Sequence, residues 1–273
     1  MAKATFETLN PNAPLFSELK SGNYTWWKNI KDNDKLYIEI RKDNDINVYF
    51  EGGSVVKLHY CSKHKKIQAK THRKYLGGNG TRYVECSLDN DNDLKTIINN
   101  IPNKYSGKKG YKKENLSEKY IQSQYIIKYH SKYIDSEFAY KDDYKDDSLD
   151  IRIDLIECIN GELRFVELKT IDDGRMLKKT DDNPEVVKQV KAYEDFISKH
   201  KQEIVEYYQK VWEIKKDLGL ITPEKRPSSL ADKPLLLIFN RWTNLESRRK
   251  IHTRRLIDIL DREKIDYIIK EDI

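Results

Sequence analysis

Leu36, Ile38 and Ile40 recur at every second position, and Ile46, Val48 and Phe50 repeat the pattern a few residues later. Alternation of period two puts the apolar side chains on one face of a pleated strand, and the intervening "DND" and "EGG" have turn composition. The stretch from Leu36 to Tyr60 therefore predicts an antiparallel meander. "KIQAKTHRKYL" and "TRYVECSL" extend it into a β-rich N-terminal region, residues 1–102, expected to bind substrate or a partner. Residues 103–116 are polar and basic with two glycines, the composition of a linker.

Residues 117–273 have a different rhythm. In "SEKYIQSQYIIKYHSKYI" the positions Tyr120, Ile121, Tyr125 and Ile127 fall near helical spacing, and a short strand is expected near Phe138. Two strand-like runs flank Asn160-Gly161. "DDNPEVVKQVKAYEDFI" predicts a helix, with Asn183 as cap and Pro184 at the first helical position. "QEIVEYYQKVWEIKKDLGL" predicts a second helix that stops near Gly219, and "KPLLLIFNRW" has the continuous apolar character of a buried strand. The basic helix "LESRRKIHTRRLIDILDRE" and the strand "IDYIIKED" close the chain. Helix, hairpin, helix, strand, helix, strand implies an α/β (α+β) domain whose central mixed sheet is flanked by helices.

Composition narrows the class. The 273 residues are 38% hydrophobic, and 18 tyrosines add core volume, which excludes a disordered chain. Lys and Arg outnumber Asp and Glu by 51 to 45, an excess compatible with nucleic acid as partner but not demanding it. Cys61, Cys86 and Cys158 are scattered and form no disulfide framework, which points to a reducing compartment. With no apolar signal core at the N-terminus and no run of membrane-spanning length, a cytoplasmic protein without membrane contact is expected.

The chemistry sits in "SLDIRIDLIECINGELRFVELKTIDD", where Asp154, Glu167 and Lys169 interrupt apolar runs. Asn-Gly between two strands is the strongest short-range hairpin signal. With Asn160-Gly161 as the turn, Ile159 faces Glu162, and five steps on Asp154 lies directly opposite Glu167. Their Cβ atoms would then be about 4.5–5.5 Å apart. Lys169 falls on the same face as Glu167. Two carboxylates opposed across a ladder repel each other, which a purely structural sheet avoids. A divalent cation turns that repulsion into a binding site, and an all-oxygen donor set suits Mg²⁺, with Mn²⁺ as substitute. The carbonyl of Leu168 is a further candidate ligand. The competing reading is an exposed hairpin with solvated charges in which Lys169 neutralises both acids.

Asp154 followed by Glu167-Leu168-Lys169 on the next strand, between two helices, resembles the PD-(D/E)XK nuclease superfamily over roughly Glu114 to Lys199, with Leu235–Trp242 as an additional core strand. Ile153 stands where the family name has proline. Gln189 and Tyr193, four apart in "QVKAY", resemble the Q-x-x-x-Y signature of RecB-like members, and Glu118 and Gln122 are likewise four apart on the preceding helix. The resemblance implies a restriction-endonuclease-like core in which Asp154 and Glu167 bind the metal, Glu118 lends a further acid to the metal site, Lys169 serves the attacking water, and Gln189 and Tyr193 assist. It implies a Mg²⁺-dependent deoxyribonuclease, and leaves open a restriction- or defence-type endonuclease, a RecB-like exonuclease, RNA in place of DNA, and a homodimer. The alternative is a nuclease-fold module without turnover that binds nucleic acid or assembles with a partner. Two basic clusters are candidate nucleic-acid contacts: Lys65, Lys66 and Arg73 near Tyr60 and Tyr75, and Arg248, Arg249 and Arg255 on the last helix.

Overall fold

Two sheets, one in each half of the chain, carry the architecture, and neither closes into a barrel. The computed structural model describes residues 6, 8–80, 82–89, 91–101, 112–141, 150–176, 183–243 and 246–273. The first sheet runs in sequence order: β1 (Tyr37–Arg41), β2 (Asp45–Phe50), β3 (Gly53–Cys61), β4 (Lys66–His72) and β5 (Tyr83–Glu85). Each strand is antiparallel to the next, as the alternation predicts. Ile40, Ile46, Val48, Val56 and Leu58 form its fully buried face. Three helices absent from the sequence expectation share that core. These are α1 (Pro14–Ser21), α2 (Thr25–Lys31) and α3 (Asp91–Asn100), with Phe16, Trp27 and Ile97 among the core residues. Helices of so few turns draw their stability from packing, and carry too little periodicity to stand out in sequence.

The second sheet is mixed, with strand order β11-β10-β8-β7-β6. Strands β6 (Tyr133–Lys141), β7 (Asp150–Ile159) and β8 (Glu162–Thr170) are antiparallel neighbours. Strands β10 (Leu235–Phe239) and β11 (Asp266–Lys270) continue from β8 in parallel, and the two-residue β9 (Ser229–Leu230) pairs with the start of β8. Parallel neighbours require crossovers. Helices α5 (Glu185–Asp217) and α6 (Ser247–Arg262) provide them and pack on one sheet face, where Leu236 and Ile238 meet Val186, Val190, Leu256 and Leu260. The opposite face is covered by α4 (Glu118–Lys128), through Ile121, Tyr125 and Ile126 against Leu155, Val166 and Leu168. Ser117 caps α4 by accepting the Tyr120 N–H at 3.2 Å.

The two helices predicted between residues 184 and 219 make up α5, following one another across a kink at His200, where φ is −124° and ψ is 16°. It starts one residue later than predicted, with Pro184 itself as the cap residue and no side-chain cap. Gly219, at φ +68°, ends it: its N–H donates to the Lys216 carbonyl and that of Leu220 to the Lys215 carbonyl, the double closure of a Schellman motif.

The N-terminal sheet does not stand apart. One hydrophobic core runs from Phe6, Ile40 and Val56 to Phe138, Phe165, Phe196 and Tyr208. A buried polar network crosses the same junction. Arg41 Nη1 donates to Asp135 Oδ1 at 2.8 Å, and Lys215 Nζ to Glu39 Oε2 at 2.8 Å. Ser136 Oγ donates to Glu39 Oε1 at 3.1 Å, and Tyr208 Oη to Asp135 Oδ2 at 3.0 Å. Charges survive such burial only when paired and hydrogen-bonded, so the network fixes how the sheets meet. Gly52, at φ +81° in the β2–β3 turn, abuts the first turn of α4. A Cβ there would lie 2.6 Å from the Lys119 carbonyl oxygen, which only glycine avoids. Of the expected linker, residues 103–111 lie outside the described residues. Its end carries a 3₁₀ turn, Lys113–Asn115, and Leu116 is buried in the core under α4.

Candidate active site

The hairpin forms in the register that Asn160-Gly161 dictates. Both residues have positive φ, +53° and +89°, the conformation of a two-residue type I′ turn. Paired positions run from Ile159–Glu162 to Leu155–Val166, so Asp154 and Glu167 are the next pair in the register. Asp154 is also held across the strands, its Oδ2 accepting the Leu168 N–H at 2.9 Å. The α4 side chain of Gln122 fixes the backbone there, donating to the Asp154 carbonyl at 2.5 Å.

Glu167 and Lys169 are buried at 2% exposure, whereas the Asp154 side chain keeps 32% of its surface open. Lys169 Nζ pairs with Glu167 Oε1, donates to the Leu168 carbonyl at 3.1 Å and lies 3.8 Å from Asp154 Oδ2. Its ammonium is therefore the counter-charge of both acids. From α5, Gln189 Nε2 donates to Glu167 Oε1 at 2.7 Å and to Tyr193 Oη at 2.6 Å. The Tyr193 hydroxyl stands 2.9 Å from Glu167 Oε2 and also reaches the Arg152 carbonyl. Burial, with Glu167 next to it, pushes that phenol well above its usual range, so it stays a donor. The four-residue spacing of Gln189 and Tyr193 thus puts both on Glu167.

Burial, then the neighbouring Glu167, pushes Asp154 up to about 7 against the pull of Lys169. Glu118 is raised too, by burial, with Lys169 and the Thr170 N–H opposing. Its Oε1 accepts that N–H at 3.1 Å and its Oε2 faces Arg175 Nη2 at 3.5 Å. These residues line one cleft of about 220 Å³, with Lys119, Glu137, Arg152 and Arg175 on its walls.

The cleft brings together Asp154, Glu167, Leu168, Lys169, Glu118 and Gln189, with Tyr193 behind Glu167. Two of the four expected metal ligands are otherwise engaged: Glu118 by Thr170 and Arg175, and the Leu168 carbonyl by Lys169. Among the described residues, no three His, Cys, Asp or Glu side chains are grouped as a metal cluster. The adjacent Asp154 and Glu167 are oxygen-only donors, the ligand type that a hard divalent ion takes.

None of the predicted basic contacts lines this cleft. Lys65 lies in the β3–β4 turn at φ +48°, Lys66 opens β4 and Arg73 begins a 3₁₀ turn. Arg248 is exposed on α6, Arg249 sits 5.5 Å over the Trp242 ring, and Arg255 is half-buried. Sequence reasoning missed Arg175, although Asp173-Gly174 before it is a turn signal that returns the chain toward the strand end. Comparisons of the chain with family models, with curated proteins and with solved structures find no match. No described helix is long and apolar enough to cross a membrane.

Proposed function

We propose that the protein is a Mg²⁺-dependent nuclease with a restriction-endonuclease-like core, hydrolysing phosphodiester bonds of DNA. The observation that carries this reading is the convergence of Asp154, Glu167 and Lys169 on one cleft, with Gln189 and Tyr193 both hydrogen-bonded to Glu167. A structural ion pair needs one acid, whereas here one ammonium faces two, and two further side chains hold Glu167 in place. Asp154 and Glu167 are the residues that would hold the cation. When bound, it screens the charge of the phosphate and of the transition state.

The remaining residues supply positioning. Gln189 and Tyr193 fix the Glu167 carboxylate, and the Leu168 N–H fixes Asp154. Lys169, anchored on Glu167 and the Leu168 carbonyl, orients the water that attacks phosphorus and offsets the charge that develops there. Water adds across one P–O bond, leaving a hydroxyl on one product and a phosphate monoester on the other.

One observation favours the rival, a module that keeps the fold without turnover: Lys169 already balances Glu167 and approaches Asp154. Incubating purified protein with linear, circular and single-stranded DNA, with Mg²⁺ or EDTA, separates the two. Metal-dependent cleavage is expected; DNA binding with no cleavage in Mg²⁺ or Mn²⁺ supports the rival.

A further inference from the structure

The Arg175 guanidinium is 40% exposed on the cleft wall, yet it is not loose. Asp173 grips one edge in a bidentate pair, with Nε and Nη2 each at 2.9 Å, and also accepts the Arg175 backbone N–H at 2.8 Å. The Arg175 carbonyl accepts the Val186 N–H at 3.1 Å, docking the segment on the first turn of α5, and Met176 is fully buried beside it. Nη2 approaches Glu118 at 3.5 Å, which leaves Nη1 with no partner among the described residues. A planar fork held along one edge presents the other with little conformational freedom left to lose.

The surroundings give that edge a use. Glu118, Glu137, Asp154 and Glu167 face the same cleft and repel an incoming phosphodiester. Two of the cleft's cations are engaged: Lys169 is buried between its acids and Lys119 pairs with Glu137 at 3.1 Å. We propose that Arg175 is a phosphate-binding subsite of the cleft, its Nη1 edge donating to a non-bridging oxygen of a phosphodiester in the bound strand. Asp173 and Glu118 are its positioning residues. This rests on the nuclease reading, and gives Glu118 a part that does not require it to touch the metal.

The test compares wild type, R175A and R175K by anisotropy with a labelled oligonucleotide in EDTA at several salt concentrations, beside steady-state cleavage in Mg²⁺ and a thermal melt. R175A is expected to weaken binding about 5–10-fold and to lower the slope of log affinity against log salt by about one. KM should rise by a similar factor, with a smaller fall in kcat. R175K, which keeps the charge and loses the fork, should fall between the two, and it carries the comparison if R175A does not fold. Unchanged affinity and salt slope, with only the melting temperature lowered, would mean that Arg175 merely ties the turn to α4; the subsite would be wrong while wild-type cleavage upheld the nuclease reading. A wild type that neither binds nor cuts DNA overturns both.

Discussion

Tyr193 Oη lies 2.9 Å from Glu167 Oε2, joining the part of α5 before its kink to the buried acid of the hairpin. The contact orients Glu167 without touching the open side of the cleft, so its loss should affect turnover more than substrate binding. Tyr193→Phe is expected to lower kcat roughly 10-fold with KM little changed. Leaving buried acceptors short of a donor should also cost about 1–3 kcal/mol of stability. Gln189→Ala should act similarly, and the pair should be non-additive because the two side chains also bond each other at 2.6 Å. Steady-state kinetics with urea melts of the three variants checks this.

On the nuclease reading, Lys169 and a divalent cation would serve the same two acids. Lys169→Met leaves Glu167 buried without its counter-charge, which should destabilise the metal-free protein by about 3–5 kcal/mol. Mn²⁺ should then raise the melting temperature of the variant more than that of wild type, while cleavage stays lost. Thermal melts with and without Mn²⁺ measure it. Absence of any Mn²⁺ effect on either protein would remove the cation from the site.

The junction between the sheets should govern stability against pH. Burial, with Glu39 adding, pushes Asp135 from 3.8 up to about 7 against Arg41 and Lys215. Glu39 and Arg41 face it from β1, Tyr207 and Tyr208 from α5, and the Ser136 N–H from its own strand. A folded pKa above the unfolded one means that the folded state keeps a proton the unfolded state releases. This contribution is complete below about pH 4 and is lost as pH rises toward 7, with a slope of up to about 1.4 kcal/mol per pH unit. Urea midpoints of wild type and Asp135→Asn between pH 4 and 8 should show a steeper decline in the first, because Asp154, also raised to about 7, titrates in both. An identical slope in both would place the titration elsewhere.

What was legible in sequence was what local chemistry sets. Asn160-Gly161 fixes a turn, the turn fixes a register, and the register places Asp154 beside Glu167. The four-residue step from Gln189 to Tyr193 likewise puts both on one helix face. The Glu39–Lys215 pair, by contrast, joins residues 176 apart, and no periodicity marks it. Without such pairs the N-terminal region reads as a separate β unit, whereas it shares a core with the second sheet. The basic clusters are a different case: charge along a helix says nothing about what its face meets, and Arg248, Arg249 and Arg255 do not line the cleft.

Asp154 gives the most direct test of the nuclease reading, because its carboxylate is the more open of the two proposed metal anchors. Cleavage in Mg²⁺ is measured for wild type and Asp154→Asn, beside anisotropy with the same DNA in EDTA. Asn keeps the shape and an oxygen to accept the Leu168 N–H, but loses the charge. Cleavage should fall at least about 100-fold, since the cation loses one of its two anchors. DNA affinity in EDTA should stay the same or rise modestly, because one source of repulsion is gone and the basic surface is unchanged. An Asp154→Asn protein that cuts DNA at the wild-type rate would contradict the assignment of this cleft.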